Sequence, residues 1–201
     1  MCPDRLRPPR GGDFVPSANG GREQPRRVGG GNLRVYISTG SPVAMSGGSV
    51  YNLNMDPTPV VEPRDHFPIW IEAAWTDGDG TVYAWYHHEP QGVCPGSGLT
   101  APVIGALVSQ DGGLTFRDMG VVLSSGYAVN CAAQNKYFAG GHGDLAVILD
   151  RYRRYFYFLF GNYSGPVSAQ GVGIARMAFD DRNNPVGAMH KCFNGHWPQP
   201  G

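Results

Sequence analysis

Residues 109–116 read Ser109-Gln110-Asp111-Gly112-Gly113-Leu114-Thr115-Phe116, and the order Ser-x-Asp-x-Gly-x-Thr-aromatic specifies a tight β-hairpin of the Asp-box kind. Gly112 and Gly113 supply the positive φ that such a turn needs. The Asp111 carboxylate is placed to accept backbone N–H bonds across the turn, and Thr115 and Phe116 begin the return strand. A turn of this construction joins the outer strands of a propeller blade. It fixes architecture and names no reaction.

Working outward, the same strand grammar occurs twice. Four strands are expected at His66 to Trp75, Thr81 to His87, Ile104 to Ser109 and Phe116 to Leu123, with Thr76 to Gly80 as the first turn and Gln91 to Pro102 as a longer loop. The order recurs at Asp144 to Asp150, Tyr155 to Tyr163, Gly171 to Phe179 and Gly187 to Phe193. Two such units are an internal repeat whose usual closed form is a β-propeller. Ahead of them, Leu33 to Ser38 alternates as a short strand and Ser49 to Val61 is extended. Residues 1–31, rich in Pro, Gly, Arg and Ser, read as a disordered low-complexity segment. The expected organisation of 32–201 is therefore a partial blade at 32–64 and blades at 65–124 and 141–195. The fold class is all-β, with antiparallel propeller-like blades forming an incomplete, amino-terminal part of a propeller. Pro198 to Gly201 offers no closing strand, and an open ring of this kind is expected to self-associate or to be completed by further blades.

Composition agrees. Thirty Gly and seventeen Pro among 201 residues mark many turns, and ten Tyr, nine Phe and four Trp suit strands. Sixteen basic residues balance sixteen acidic ones, so no global field attracts nucleic acid or an anionic membrane. No stretch approaches the roughly 20 apolar residues of a membrane span, and Met1 to Arg34 lacks the apolar centre of a secretory signal. The four cysteines show no C-x-x-C spacing for zinc. Cys94 and Cys131 lie in loops flanking one predicted hairpin, where a bridge would pin two loops at one end of a blade; the alternative is two free thiols. A bridge would indicate a secreted or periplasmic protein.

Ligands of propellers gather where the inner strands converge. Asp65 and His66 open the inner strand of the first full unit, and His142, Gly143 and Asp144 open that of the second, so Asp65 and Asp144 are candidates for a carboxylate pair. Asp56, in Met55-Asp56-Pro57, competes with Asp65, and Glu72 sits inside an apolar strand either as an axial acid or as a salt-bridged residue. His66, His87 and His142 are candidates for sugar contacts, and with His88 and Glu89 for a metal site. Adjacent strand residues face opposite sides, however, so His87 and His88 do not share one site without a bulge. Trp85, with Trp70, Trp75, Tyr83 and Tyr86, either stacks on sugar rings or packs a core layer.

On these residues the chain resembles the five-bladed propeller glycoside hydrolases of the arabinanase, β-xylosidase and invertase type. The likeness is carried by Asp65 with its following strand, Thr81 to His87, Gly141 to Asp144 and Tyr155 to Phe160, over about residues 51–193. It implies a poly- or oligosaccharide substrate, an Asp on the first inner strand as base or nucleophile, and an Asp on the second that tunes pKa. Asp65 (or Asp56) and Asp144 match these by position. The family's general acid, a Glu on the third inner strand, has no counterpart here, which leaves open a non-catalytic segment that binds glycans or proteins. No cofactor is required; the resemblance also suggests a central calcium held beneath a His. Other chemistries find no footing. Ser97 lacks the nucleophile elbow, Gly29 to Gly31 make no phosphate loop, and the Arg cluster and Tyr nucleophile of sialidases have no place in the pattern.

Overall fold

A computed structural model describes residues 26–28, 32–134 and 136–201. The low-complexity segment read at 1–31 lies outside the described residues apart from the short strand β1 (Arg26–Val28). β1 pairs with β2 (Asn32–Ser38), followed by β3 (Pro42–Ser49) and β4 (Asn52–Met55), in one antiparallel sheet of order β1-β2-β3-β4. The central sheet has the order β5-β9-β8-β7-β6. Its strands are β5 (Val60–Glu62), β6 (Ile69–Thr76), β7 (Val82–His88), β8 (Val103–Ser109) and β9 (Thr115–Leu123). The last sheet runs β10 (His142–Leu149), β11 (Tyr155–Asn162), β12 (Gly171–Ala178), β13 (Met189–Phe193) and β14 (His196–Pro200). The two helical pieces described are single 3₁₀ turns at Val167–Ala169 and Phe179–Asn183. The fold is all-β, as the strand pattern predicts.

Two details differ from the sequence expectation. Val60–Glu62, read with the first blade, joins the central sheet as a strand parallel to β9. His196–Pro200, read as a tail, is a strand paired with β13; its prolines fit an edge strand, where no neighbour needs their missing N–H.

The central sheet is packed on both faces. Ile71, Ala74, Val82, Ala84 and Tyr86 meet Tyr36 and Ala44 of the first sheet. Ala73, Tyr83, Trp85 and Ile104 meet Phe156, Phe158, Ala175 and Met177 of the last sheet. Successive blades thus stack face to face, each burying what its neighbour leaves exposed. At the Ser109–Phe116 turn, Asp111 accepts hydrogen bonds from the N–H groups of Leu114 (3.0 Å) and Thr115 (2.9 Å) and from the Thr115 and Ser109 hydroxyls (each 2.7 Å). Together these donors hold its carboxyl well below the usual carboxylate range, against the opposing effect of burial. Tyr36 donates to the Gly113 carbonyl (3.0 Å), tying the first sheet to this turn.

Cys94 and Cys131 are bridged, with Cα atoms 5.4 Å apart. The two joined loops also exchange hydrogen bonds between Thr100 and Tyr137 (2.9 Å) and between Ala139 and Thr100 (2.7 Å), and His142 donates to the Pro102 carbonyl (2.7 Å). This lacing seats the start of β10 on the central sheet. Among the described residues, no helix is long and apolar enough to cross a membrane.

Candidate active site

The pairing of β6 with β7 runs Ile69↔His88, Trp70↔His87, Ile71↔Tyr86 and then jumps to Ala73↔Trp85. Glu72 is the extra residue of a β-bulge. A bulge places two consecutive residues on one face before alternation resumes, and here Glu72 shares the side of Trp70, Ala73 and His87. β10 repeats the device: Gly143 faces Gly161, Leu145 faces Phe160, and Asp144 is left over. Its φ of +39° is a left-handed conformation that Asp tolerates better than most residues.

The two bulges meet between blades. One atom each of Glu72, His87 and Asp144 lies within 4.8 Å of the other two. Glu72 is buried, and both its oxygens are engaged: Oε1 accepts from His87 Nδ1–H (2.8 Å) and Oε2 from the Leu145 N–H, immediately after the second bulge. The His87 ring stacks on Trp70 at a centroid distance of 4.9 Å, and its Nε2 lies 3.5 Å from Glu89 Oε1. Burial lowers the His87 pKa, but hydrogen bonds to Glu72 and Glu89 and the charges of Glu72 and Asp144 outweigh it and hold the ring up to about 9. Asp144 is the exposed member; Tyr163 donates to its Oδ2 (2.5 Å), and Phe138 stacks on Tyr163 at 4.2 Å. A pocket of about 430 Å³ adjoins the cluster, lined by Trp70 and Glu89 with Pro68, Gln91 and Thr100.

Glu72, His87 and Asp144 are therefore brought together, and the other sequence candidates are placed elsewhere. Asp65 is exposed in the turn ahead of β6, outside the cluster that brings Glu72 and Asp144 together. Asp56 lies in an ion pair with Arg34 (2.9 Å) and accepts from the Ser46 hydroxyl (2.6 Å). Trp85 is 2% exposed and packs against Phe156 and Phe158 between the blades, which leaves no face for a sugar ring. His66 keeps company with Tyr86 and Asp118 on the opposite face of the sheet from His87. His142 is buried against Phe160, with Nδ1 3.0 Å from the Gly141 carbonyl. Burial, reinforced by the Lys191 charge, pushes its pKa down to about 4. It lines a separate cavity of about 540 Å³ with Lys191, Asn162 and Tyr127.

Tyr163 and Asp118 were missed by sequence reasoning. Tyr163 had a usable signal: pairing β11 back against β10 sets the residue after Asn162 beside Gly141. Calcium takes roughly six to eight oxygen ligands. The cluster offers two carboxylates and an imidazole, with both Glu72 oxygens already accepting hydrogen bonds. In this arrangement the His87 ring lies between acids, which raise its pKa.

No protein-family model matches the sequence, and no curated protein matches it. Solved structures do. A structure of Cellvibrio cellulosa alpha-L-arabinanase matches with a TM-score of 0.53 and 16% identity, over 80% of this chain and 49% of that one. The fold is that of an arabinanase-type propeller. A structure of the same arabinanase complexed with arabinohexaose matches at a TM-score of 0.41 and 10% identity, over 89% of this chain and 75% of that one. The chain spans about half the length of the first arabinanase chain.

Proposed function

We propose that the chain belongs to an exported carbohydrate-active hydrolase that cleaves glycosidic bonds in a poly- or oligosaccharide of the arabinan kind, with Asp144 as the carboxylate that meets the substrate. The observation that carries this reading is the convergence of the two bulges: Asp144 is exposed to solvent beside His87 and a buried Glu72, and His87 is stacked on Trp70, which lines a neighbouring pocket with Glu89. Asp144 acts there as base toward water or as nucleophile, oriented by Tyr163. Glu72 is a positioning residue, gripping the Leu145 N–H and so fixing the bulge that carries Asp144. His87 supplies a fixed positive charge facing both acids. The disulfide suits an oxidising compartment.

A second reading, glycan binding without turnover, is favoured by the full engagement of Glu72, which leaves the cluster one carboxylate open to substrate where hydrolysis also needs a proton donor. Arabinan and arabino-oligosaccharides separate the two, with reducing-end release and calorimetric binding measured on the same samples. The hydrolase reading expects Asp144→Asn to lower turnover by roughly 10²–10⁴-fold while binding changes little. Turnover indifferent to Asp144→Asn refutes it, and saturable binding without turnover by the wild-type chain assigns the second reading.

A further inference from the structure

The opposite face of the central sheet holds a second set of histidines that the carboxylate cluster does not use. His66, in the turn before β6, has Nδ1 2.6 Å from Asp118 Oδ2. The Asp118 side chain is 3% exposed and also accepts from the Tyr86 hydroxyl (3.0 Å) and the Gly120 N–H (2.8 Å). His88, at the end of β7, has Nδ1 2.9 Å from the Pro68 carbonyl oxygen. A carboxylate and a carbonyl only accept, so in both rings Nδ1 carries a proton and Nε2 is the nitrogen left to ligate a metal through its lone pair. No described residue bonds either Nε2. The ring centroids are 5.8 Å apart at an interplanar angle of 62°. Two imidazoles sharing one ion at a metal–nitrogen distance near 2.1 Å place their centres about 5–6 Å apart.

We propose that His66 and His88 bind a borderline divalent transition ion of the zinc class through Nε2, with water completing the shell. Asp118 and the Pro68 carbonyl are its outer shell, the usual second partners of metal-bound imidazoles, which fix tautomer and ring orientation. The ion ties the turn before β6 to the end of β7, on the face away from Asp144.

The test is calorimetric titration of the full chain with Zn²⁺. One ion per chain is expected, with His66→Ala and His88→Ala each weakening binding at least about tenfold, Asp118→Asn by roughly 10–100-fold, and His87→Gln not at all. Long-range ¹⁵N–¹H imidazole spectra of the wild-type chain read the same site without substitution, through a zinc-induced shift of the His66 and His88 Nε2 resonances. No binding, unmoved resonances, or binding lost in His87→Gln but kept in His66→Ala and His88→Ala would overturn the proposal.

Discussion

His87 makes the candidate site a source of pH-dependent stability. Its pKa stands near 9 in the folded chain against an ordinary value of 6.5, so the folded state holds a proton that the unfolded chain releases earlier as pH rises. The resulting stability is complete below about pH 6.5 and is lost as pH climbs through 9. The difference corresponds to about 3 kcal/mol. The groups facing the ring are the carboxylates of Glu72, Glu89 and Asp144. Burial depresses the Lys191 pKa, which opposes the trend at alkaline pH but is common to any variant at His87. The assay is urea unfolding at half-unit steps from pH 6.5 to 9.5, below the range in which unfolded tyrosines ionise, for the wild-type chain and His87→Gln. Glutamine keeps a donor for Glu72 and removes the titration. The wild-type chain is expected to lose about 3 kcal/mol more than the variant across this range. Parallel curves for the two proteins would show that the imidazolium is not held by these acids, and the charge assignment of the site would fall with it.

His142 has the opposite sign. With its folded pKa near 4, its contribution is present above pH 6.5 and lost as pH falls through 4, so His142→Gln should flatten an acid limb of about 3 kcal/mol in urea unfolding carried from pH 7 down to pH 3.5. At Gly113, where φ is +89°, an added Cβ would fall 1.7 Å from the Tyr36 Oη. Gly113→Ala is expected to cost about 2–3 kcal/mol, and a thermal midpoint equal to wild type would refute the contact. Opening the 37-residue Cys94–Cys131 loop by Cys94→Ser with Cys131→Ser should lower stability by about 2–4 kcal/mol, read by denaturant midpoint under non-reducing conditions.

The aromatic alternations of Thr81 to His87 and Tyr155 to Tyr163 announced β7 and β11 because side chains on a doubly covered strand repeat with period two. The Ser109–Phe116 turn and the Cys94–Cys131 bridge were legible for a similar reason: each is a local motif or a loop pair whose residues act close together. Asp65 lies ahead of the strand and not at its mouth, because β6 starts at Ile69, after Pro68, and not where the apolar run begins. Glu72 looked ambiguous because strict alternation gives an acid in an apolar strand no reason to be there. Only the bulge, which sets Glu72 and Ala73 on one side, supplies the reason, and a bulge is a property of how a strand meets its partner.

The site depends on that relation at longer range. A bulge interrupts its ladder, and the Leu145 N–H beside the β10 bulge meets the Glu72 carboxylate from the β6 bulge. Each strand thus answers the irregularity of the other, and neither blade alone would aim Asp144 or satisfy Glu72. The residue types were readable strand by strand, but the constellation was not, because it exists only across the packed interface of Trp85, Phe156 and Phe158 that sets the two inner strands side by side. Inter-blade packing is therefore the step that assembles the candidate site: a core change that shifted one blade against the other would disperse the cluster while leaving every strand and both bulges in place.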